Sequence, residues 1–316
     1  MTAQLQEPGA VGVAERESIA GDAPRAPAVT IGIPAYNEAR YIRETIESLL
    51  AQTFDDFELL VSDNASTDGT AEIVAEMAEA DGRIRLVRQP RNVGSMRNIH
   101  RLVRHGQGDL FLLAAGHDCW SPEALERLKA ALDECPKAVL AFPDFPRIDR
   151  SGDGANWHGR SQRLAVVDTT SMTDPVKRFN VYMWASQWPM YGLARRDAWL
   201  ATSVARVGGC APGAILVGEM AVLGSFVQVP EAKLFCRDTH EEQPPKERTS
   251  RRQAACYAKE RVPPLPHWRL PFAFLRSLWS VPLKRARRRR TRMLLFVSAL
   301  SAFIRYRRGM WRDIFG

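Results

Sequence analysis

Five short apolar runs, each separated from the next by a segment of helical spacing, constrain the fold of this chain more than any other feature. The runs are Val29–Ile33, Phe57–Ser62, Ile84–Arg88, Leu110–Ala114 and Ala138–Phe142. Most are nearly continuous in Val, Ile, Leu and Phe, the composition of strands buried on both faces of a parallel sheet. Between them, Ile42, Ile46, Leu49 and Leu50 form one helical stripe and Met96, Ile99, Leu102 and Val103 another. Ser121-Pro122-Glu123 reads as an N-cap, a first-turn proline and a dipole-favoured acid opening a helix that carries Leu125, Leu128 and Leu132 and stops at Cys135-Pro136. Strand and helix in alternation predict a Rossmann-type α/β fold, a mostly parallel sheet flanked by helices with right-handed crossovers. Ligands of such sheets collect beyond the carboxyl ends of the strands.

Three of those ends carry polar residues. The first run leads into Ile33-Pro34-Ala35-Tyr36-Asn37-Glu38. The second leads into Asp63-Asn64-Ala65-Ser66-Thr67-Asp68-Gly69-Thr70, and the fourth into Gly116-His117-Asp118-Cys119-Trp120. Each alone reads equally well as a turn or a helix cap. Three on one sheet edge point to a binding crevice.

At 316 residues the chain is long enough for one large domain or two modest ones. Its net charge of +8 is unevenly spread. Residues 269–316 hold 13 Lys and Arg against the single acid Asp313, so the rest of the chain is slightly acidic. Residues 1–27 have early acids and no apolar segment, and read as a disordered leader. Residues 28–150 contain the regular alternation, and residues 151–262 a less regular region with several tryptophans and a glycine-rich stretch. Residues 263–316 form a basic, amphipathic helical tail. Within it, seven of the nine residues from Lys284 to Arg292 are basic, directly before Met293-Leu294-Leu295-Phe296-Val297. The longest uncharged run there, Met293 to Ile304, is shorter than the roughly 20 residues that a bilayer-spanning helix needs. Basic and apolar residues so interleaved suit an interfacial helix on anionic lipid, which places the protein on the cytosolic face of the plasma membrane as a peripheral protein. Nucleic-acid binding accounts for the arginines but not for the adjoining Leu, Phe and Trp. Five cysteines without a C-x-x-C pair argue against a disulfide framework or a zinc site and for a reducing compartment.

Taken together, Pro34-Ala35-Tyr36-Asn37-Glu38, Thr45-Ile46-x-Ser48-Leu49-Leu50-x-Gln52-Thr53, Asp63-Asn64-x-Ser66-Thr67-Asp68-Gly69-Thr70 and Asn92-x-Gly94-x-x-x-Asn98 resemble glycosyltransferase family 2, inverting enzymes of the GT-A fold. The resemblance is close from about Val29 to Asp144 and looser to His240. It implies a GT-A-like nucleotide-sugar-binding half at 28–150, completed by an acceptor-side region at 151–262. It further implies transfer from a nucleoside diphosphate sugar, a UDP-sugar by preference, to a hydroxyl of a glycan or lipid-linked acceptor with inversion. Pro34, Tyr36 and Glu38 would then line the nucleotide pocket and Asp63 would read the base. Asn98 would support the loop that holds the donor sugar. Where the family shows Asp-x-Asp or Asp-Asp, this chain has Gly116-His117-Asp118. Asp118 is therefore the candidate ligand for Mg²⁺ or Mn²⁺, which often take only one or two protein carboxylates. His117 reads first as a structural histidine. The segment Phe235 to His240 resembles one that closes over the diphosphate, with Arg237 neutralising charge and His240 as a metal or phosphate ligand. Glu219, in Gly218-Glu219-Met220, matches the position of the general base although the usual acidic pair is missing, and Asp144 is the reserve.

Two other functions fit parts of the pattern. One is a non-catalytic nucleotide-sugar or glycan-binding relative, suggested by the thinned acidic motif. The other is a nucleotidyltransferase, which shares the sheet type but opens with a glycine-rich loop that Pro34 to Glu38 lacks.

Overall fold

The computed structural model describes residues 25–149, 151–152, 167–184, 188–203, 212–237, 239, 292 and 296. The elements in chain order are β1 (Val29–Ala35), α1 (Ile42–Leu50), β2 (Phe57–Asp63), α2 (Thr70–Ala80), β3 (Ile84–Arg88), α3 (Ser95–His105), β4 (Leu110–Leu113), β5 (Cys119–Trp120), α4 (Ala124–Glu134), β6 (Ala138–Asp144) and β7 (Arg147–Ile148). There follow α5 (Pro175–Trp184), a 3-10 turn (Trp188–Tyr191), β8 (Leu193–Arg195), α6 (Arg196–Leu200), α7 (Pro212–Leu223) and β9 (Ser225–Arg237). All five apolar runs are strands, and all three expected helices are present. Among the described residues, the region that lacks a regular sequence pattern contributes three helices and two strands.

The strands lie in the order β3-β2-β1-β4-β8-β6-β9-β5. β1 to β4 are mutually parallel. β8 is antiparallel to β4 and to β6, so β6 points the same way as β1. The carboxyl ends of β1, β2, β4 and β6 therefore share one edge.

Alternate residues of the strands feed two cores. Val29, Ile31, Ile33, Leu110 and Leu112 meet Ile42, Ile46 and Leu49 of α1, Val74 and Met77 of α2, and the leucines of α4. Phe111, Leu113, Leu140 and Phe142 meet α3, Tyr182, Trp199 and the buried face of α7 on the opposite side. Close approach of α3 depends on Gly32, where a Cβ would stand 2.5 Å from the Phe111 ring and 3.3 Å from Leu102.

The start of α4 differs from the expectation. Ser121 does not cap it, because the Ser121 hydroxyl accepts the Lys233 N–H at 3.1 Å. Gln52 does the work from a distance. Its Oε1 accepts the Leu125 N–H at 2.9 Å while its amide donates to Ser48 O and Ser121 O. A buried side-chain amide thus joins α1 to α4.

The expected leader (1–27) and tail (263–316) fall almost wholly outside the described residues. Arg292 and Phe296 are helical, and Phe296 is exposed. No helix among the described residues is long and apolar enough to cross a membrane.

Candidate functional site

The loops after β1 and β2 clamp each other. Asn37 sits in the left-handed region at φ 58°, which asparagine tolerates better than most residues. Its N–H donates to Ser66 Oγ at 3.0 Å and its Oδ1 accepts the Thr67 N–H at 2.9 Å. The next two amides, Glu38 N–H and Ala39 N–H, donate to Thr70 Oγ1 and Asp68 Oδ2. The Asp68 carboxyl is partly desolvated, yet the Thr70 hydroxyl and the N–H groups of Ala39 and Thr70 hold it below the ordinary carboxylate value. Asn64 extends the lock to the β3–α3 loop. Its Oδ1 accepts the Val93 N–H at 2.9 Å, and its amide donates to Asn92 Oδ1 at 3.0 Å.

Asp63 ends β2 at this edge and is 3% exposed. Its carboxylate accepts the Ser66 N–H, at 3.2 Å to Oδ2. Behind it, Ser62 Oγ donates to Asn98 Oδ1 at 2.6 Å, Asn98 Nδ2 donates to Ser62 O, and Gln89 Nε2 donates to Ser62 Oγ. Asn98 is thus an interior residue that fixes the end of β2. Pro34 is half-buried, and Tyr36 is exposed beside it.

A second cluster forms beyond β4. Asp118 is 3% exposed, and its Oδ1 accepts the Arg237 backbone N–H at 2.8 Å. Glu38 points here, meeting His117 Nδ1 at 3.1 and 3.2 Å. The Arg237 guanidinium is engaged within the protein. It donates to His117 O at 2.9 Å and to Glu44 Oε1 at 2.6 Å, and lies 5.0 Å from the centre of the Tyr41 ring. Arg237 therefore ties the Asp118 loop to α1, instead of standing open to neutralise a diphosphate. Glu44 and Tyr41 were not singled out in the sequence, because nothing there separates them from solvated residues on the outer face of an amphipathic helix.

Burial opposes a charge on His117, but the Glu38 hydrogen bond and the charges of Glu38 and Asp118 outweigh it and lift the ring to about 9. Desolvation likewise raises the Asp118 carboxyl, only partly offset by His117 and the Arg237 N–H. A histidine whose folded value lies above its unfolded 6.5 contributes stability that is complete below 6.5 and lost as pH rises through about 9. In chelator, the thermal midpoint should therefore fall between pH 7 and about 10. The fall should be smaller in Glu38→Gln, and superimposable pH profiles would show that Glu38 is not the cause.

A divalent cation fits this cluster through one oxygen. Asp118 Oδ2 accepts no hydrogen bond from a described residue, whereas Oδ1 is committed to Arg237. Among the described residues no group of three His, Cys, Asp or Glu is arranged to hold a metal. A hard cation would complete its shell from diphosphate oxygens and water. His240 lies outside the described residues.

The two candidate bases are far from equivalent. Asp144 is exposed at the carboxyl end of β6, 2.9 Å from Lys233 Nζ. Glu219 lies inside α7 at 1% exposure, its carboxylate accepting the Ser203 N–H at 2.7 Å and the Ser203 hydroxyl. The structure brings Asp63, Glu38, Asp118, Arg237 and Asp144 to one edge and leaves Glu219 in the core of the opposite layer.

Residues 30–211 match the family model described as Glycosyl transferase family 2. The chain is 35% identical over 141 residues to a chondroitin synthase of Escherichia coli, covering 42% of this chain and 20% of that one. It is 33% identical over 165 residues to a hyaluronan synthase of Pasteurella multocida, covering 51% and 17%. The chain spans less than half the length of the curated relatives it matches, 45% and 40% for two from Bacillus subtilis. Among solved structures, S. aureus TarS 1–349 in complex with UDP-GlcNAc superposes with a TM-score of 0.60 at 14% identity, over 88% of this chain and 73% of that one. Mannosyltransferase PcManGT from Pyrobaculum calidifontis, in complex with GDP-Man and Mn²⁺, gives 0.51 at 18% identity, over 92% and 85%. These two show a shared fold.

Proposed function

The chain belongs to glycosyl transferase family 2, and we propose that it transfers a sugar from a nucleoside diphosphate sugar, a UDP-sugar by preference, to a hydroxyl of a glycan or lipid-linked acceptor with inversion. The observation that carries this reading is the placement of Asp63 and Asp118 beyond the carboxyl ends of β2 and β4, the two strands that flank β1. Asp63 would accept an N–H of the base. Asp118 would hold Mg²⁺ or Mn²⁺, whose chemistry when bound is to stabilise the departing diphosphate. The ion pair between Glu38 and His117 and the contacts of Arg237 fix the Asp118 loop before donor arrives. On the acceptor side, a carboxylate at the same edge takes the hydroxyl proton. The hydroxyl oxygen bonds to the anomeric carbon from the face opposite the nucleotide, and the bond to the diphosphate breaks with its electron pair leaving on the nucleotide. Relatives named as synthases of chondroitin and hyaluronan support a polysaccharide acceptor, and the neighbour bound to UDP-GlcNAc supports a UDP donor.

Calorimetry with UDP tests the donor half. Asp63→Ala should weaken binding by about 1.5–3 kcal/mol, the cost of a hydrogen bond to a charged group. An unchanged affinity in a folded variant would remove Asp63 from the pocket.

The basic tail supports a peripheral site on anionic membrane, where a lipid-linked acceptor would lie. Co-sedimentation with phosphatidylserine vesicles should drop in high salt, since exposed charges are screened within roughly 8 Å at physiological ionic strength. It should drop further when Leu294, Leu295 and Phe296 become Ser. Equal sedimentation of full-length protein and protein truncated before residue 269 would rule the tail out as the anchor.

A further inference from the structure

The carboxyl edge of β6 carries an aromatic group that the reading above leaves unused. Phe145 follows the strand, and the 3-10 turn Trp188–Tyr191 lies beside it because antiparallel β8 pairs Leu193 with both Leu112 and Ala141. Gly192 permits the approach, since a Cβ there would stand 2.3 Å from Ala141 O. The Trp188 ring centre is 5.7 Å from that of Phe145 and 5.7 Å from that of Tyr191, and the Arg147 guanidinium lies 5.9 Å above it. All four side chains are half-buried, and the three rings back onto the core. A tryptophan recruited only for packing has a different environment here: Trp199, against Phe111, is 2% exposed.

This group borders the donor edge on both sides. Asp144, with its Lys233 partner, immediately precedes Phe145. On the other side β7 pairs Arg147 with Cys236, and the next residue, Arg237, holds Asp118 through its N–H. Beyond Arg147 opens a cavity of about 330 Å³ lined by Glu44, Cys119, Ile148 and Phe235. A pyranose ring has an apolar C–H face and a rim of hydroxyls. A half-exposed indole offers that face a large, rigid surface at low entropic cost, and charged groups around it offer the rim its hydrogen bonds.

We propose that Trp188, backed by Phe145 and Tyr191 and flanked by Arg147, is the stacking surface for the acceptor's pyranose ring and directs its hydroxyl toward Asp144. This inference rests on the glycosyl-transfer reading, but a separate ligand tests it. Saturation-transfer NMR with methyl glucoside, galactoside, mannoside and N-acetylglucosaminide would be run on wild type, Trp188→Ala and Trp188→Phe. UDP calorimetry and thermal midpoints would accompany each protein. At least one pyranoside should bind wild type, lose roughly 10-fold or more in affinity in Trp188→Ala and recover in part in Trp188→Phe, with UDP affinity unchanged. Equal pyranoside binding by folded Trp188→Ala, or no pyranoside bound by wild type that binds UDP, would overturn the platform and leave the donor reading standing. Pyranoside binding that needs Trp188 in a protein that does not bind UDP would support the platform and overturn the donor reading. Should Trp188→Ala not fold, Trp188→Phe and Tyr191→Leu carry the same comparison.

Discussion

Asp118→Asn is expected to lower kcat by on the order of 10²–10³-fold, the usual loss when one preorganised electrostatic contact to a developing charge is removed. Asparagine keeps an oxygen to accept the Arg237 N–H, so the loop should hold while the negative charge of the carboxylate is lost. Mn²⁺ added after chelation should restore wild type and have little effect on the variant. Stability should move the other way. Burial raises the Asp118 carboxyl, and a carboxyl with a raised folded value costs stability once the pH exceeds it. At neutral pH, metal-free Asp118→Asn should therefore melt no lower than wild type. Full activity of the variant, or of wild type in excess chelator, would show that the leaving group is stabilised without Asp118. A variant that melts markedly lower would make Asp118 a structural acid.

The sheet was legible because strands buried on both faces leave so few alternatives: every residue of Phe57 to Asp63, and all but Pro34 of Val29 to Ala35, is buried. The edge carrying the site followed from the same parallel order. Side-chain direction did not follow. Glu38 sits in a motif that suggests nucleotide contact, and nothing in the sequence shows that its carboxylate meets His117. Arg237 reads in the sequence as a residue that neutralises diphosphate charge, and the pairing of β9 with β5 and β7 places it between Asp118 and Glu44. Cross-strand neighbours of this kind leave no periodic trace in a sequence. Beyond Ser151 the difficulty was different. α7 is apolar all round, so it shows no stripe, and it is helical because it is buried between α5, β6 and the 3-10 turn.

Burial also separates the two carboxylates proposed as the base. Asp144→Asn is expected to lower kcat by about 10²–10⁴-fold, the usual range for general-base catalysis, with UDP affinity unchanged. Asp144 stands exposed at the carboxyl edge, and Lys233 pairs with it at 2.9 Å without covering it. Glu219 has the family position but not the access. A base must approach the proton it removes within hydrogen-bond distance, and both Glu219 oxygens are committed to Ser203. Glu219→Gln replaces a charged acceptor of the Ser203 N–H and hydroxyl by a neutral amide. It should lower the thermal midpoint, through the roughly 1–3 kcal/mol cost of an imperfectly satisfied buried pair. Turnover per folded molecule should stay near wild type. The two variants thus separate on opposite readouts, one on kcat at constant stability, the other on stability at constant kcat. If Glu219→Gln instead abolishes turnover at an unchanged midpoint while Asp144→Asn remains active, the segment around Ser203 must open during the reaction and the base is Glu219.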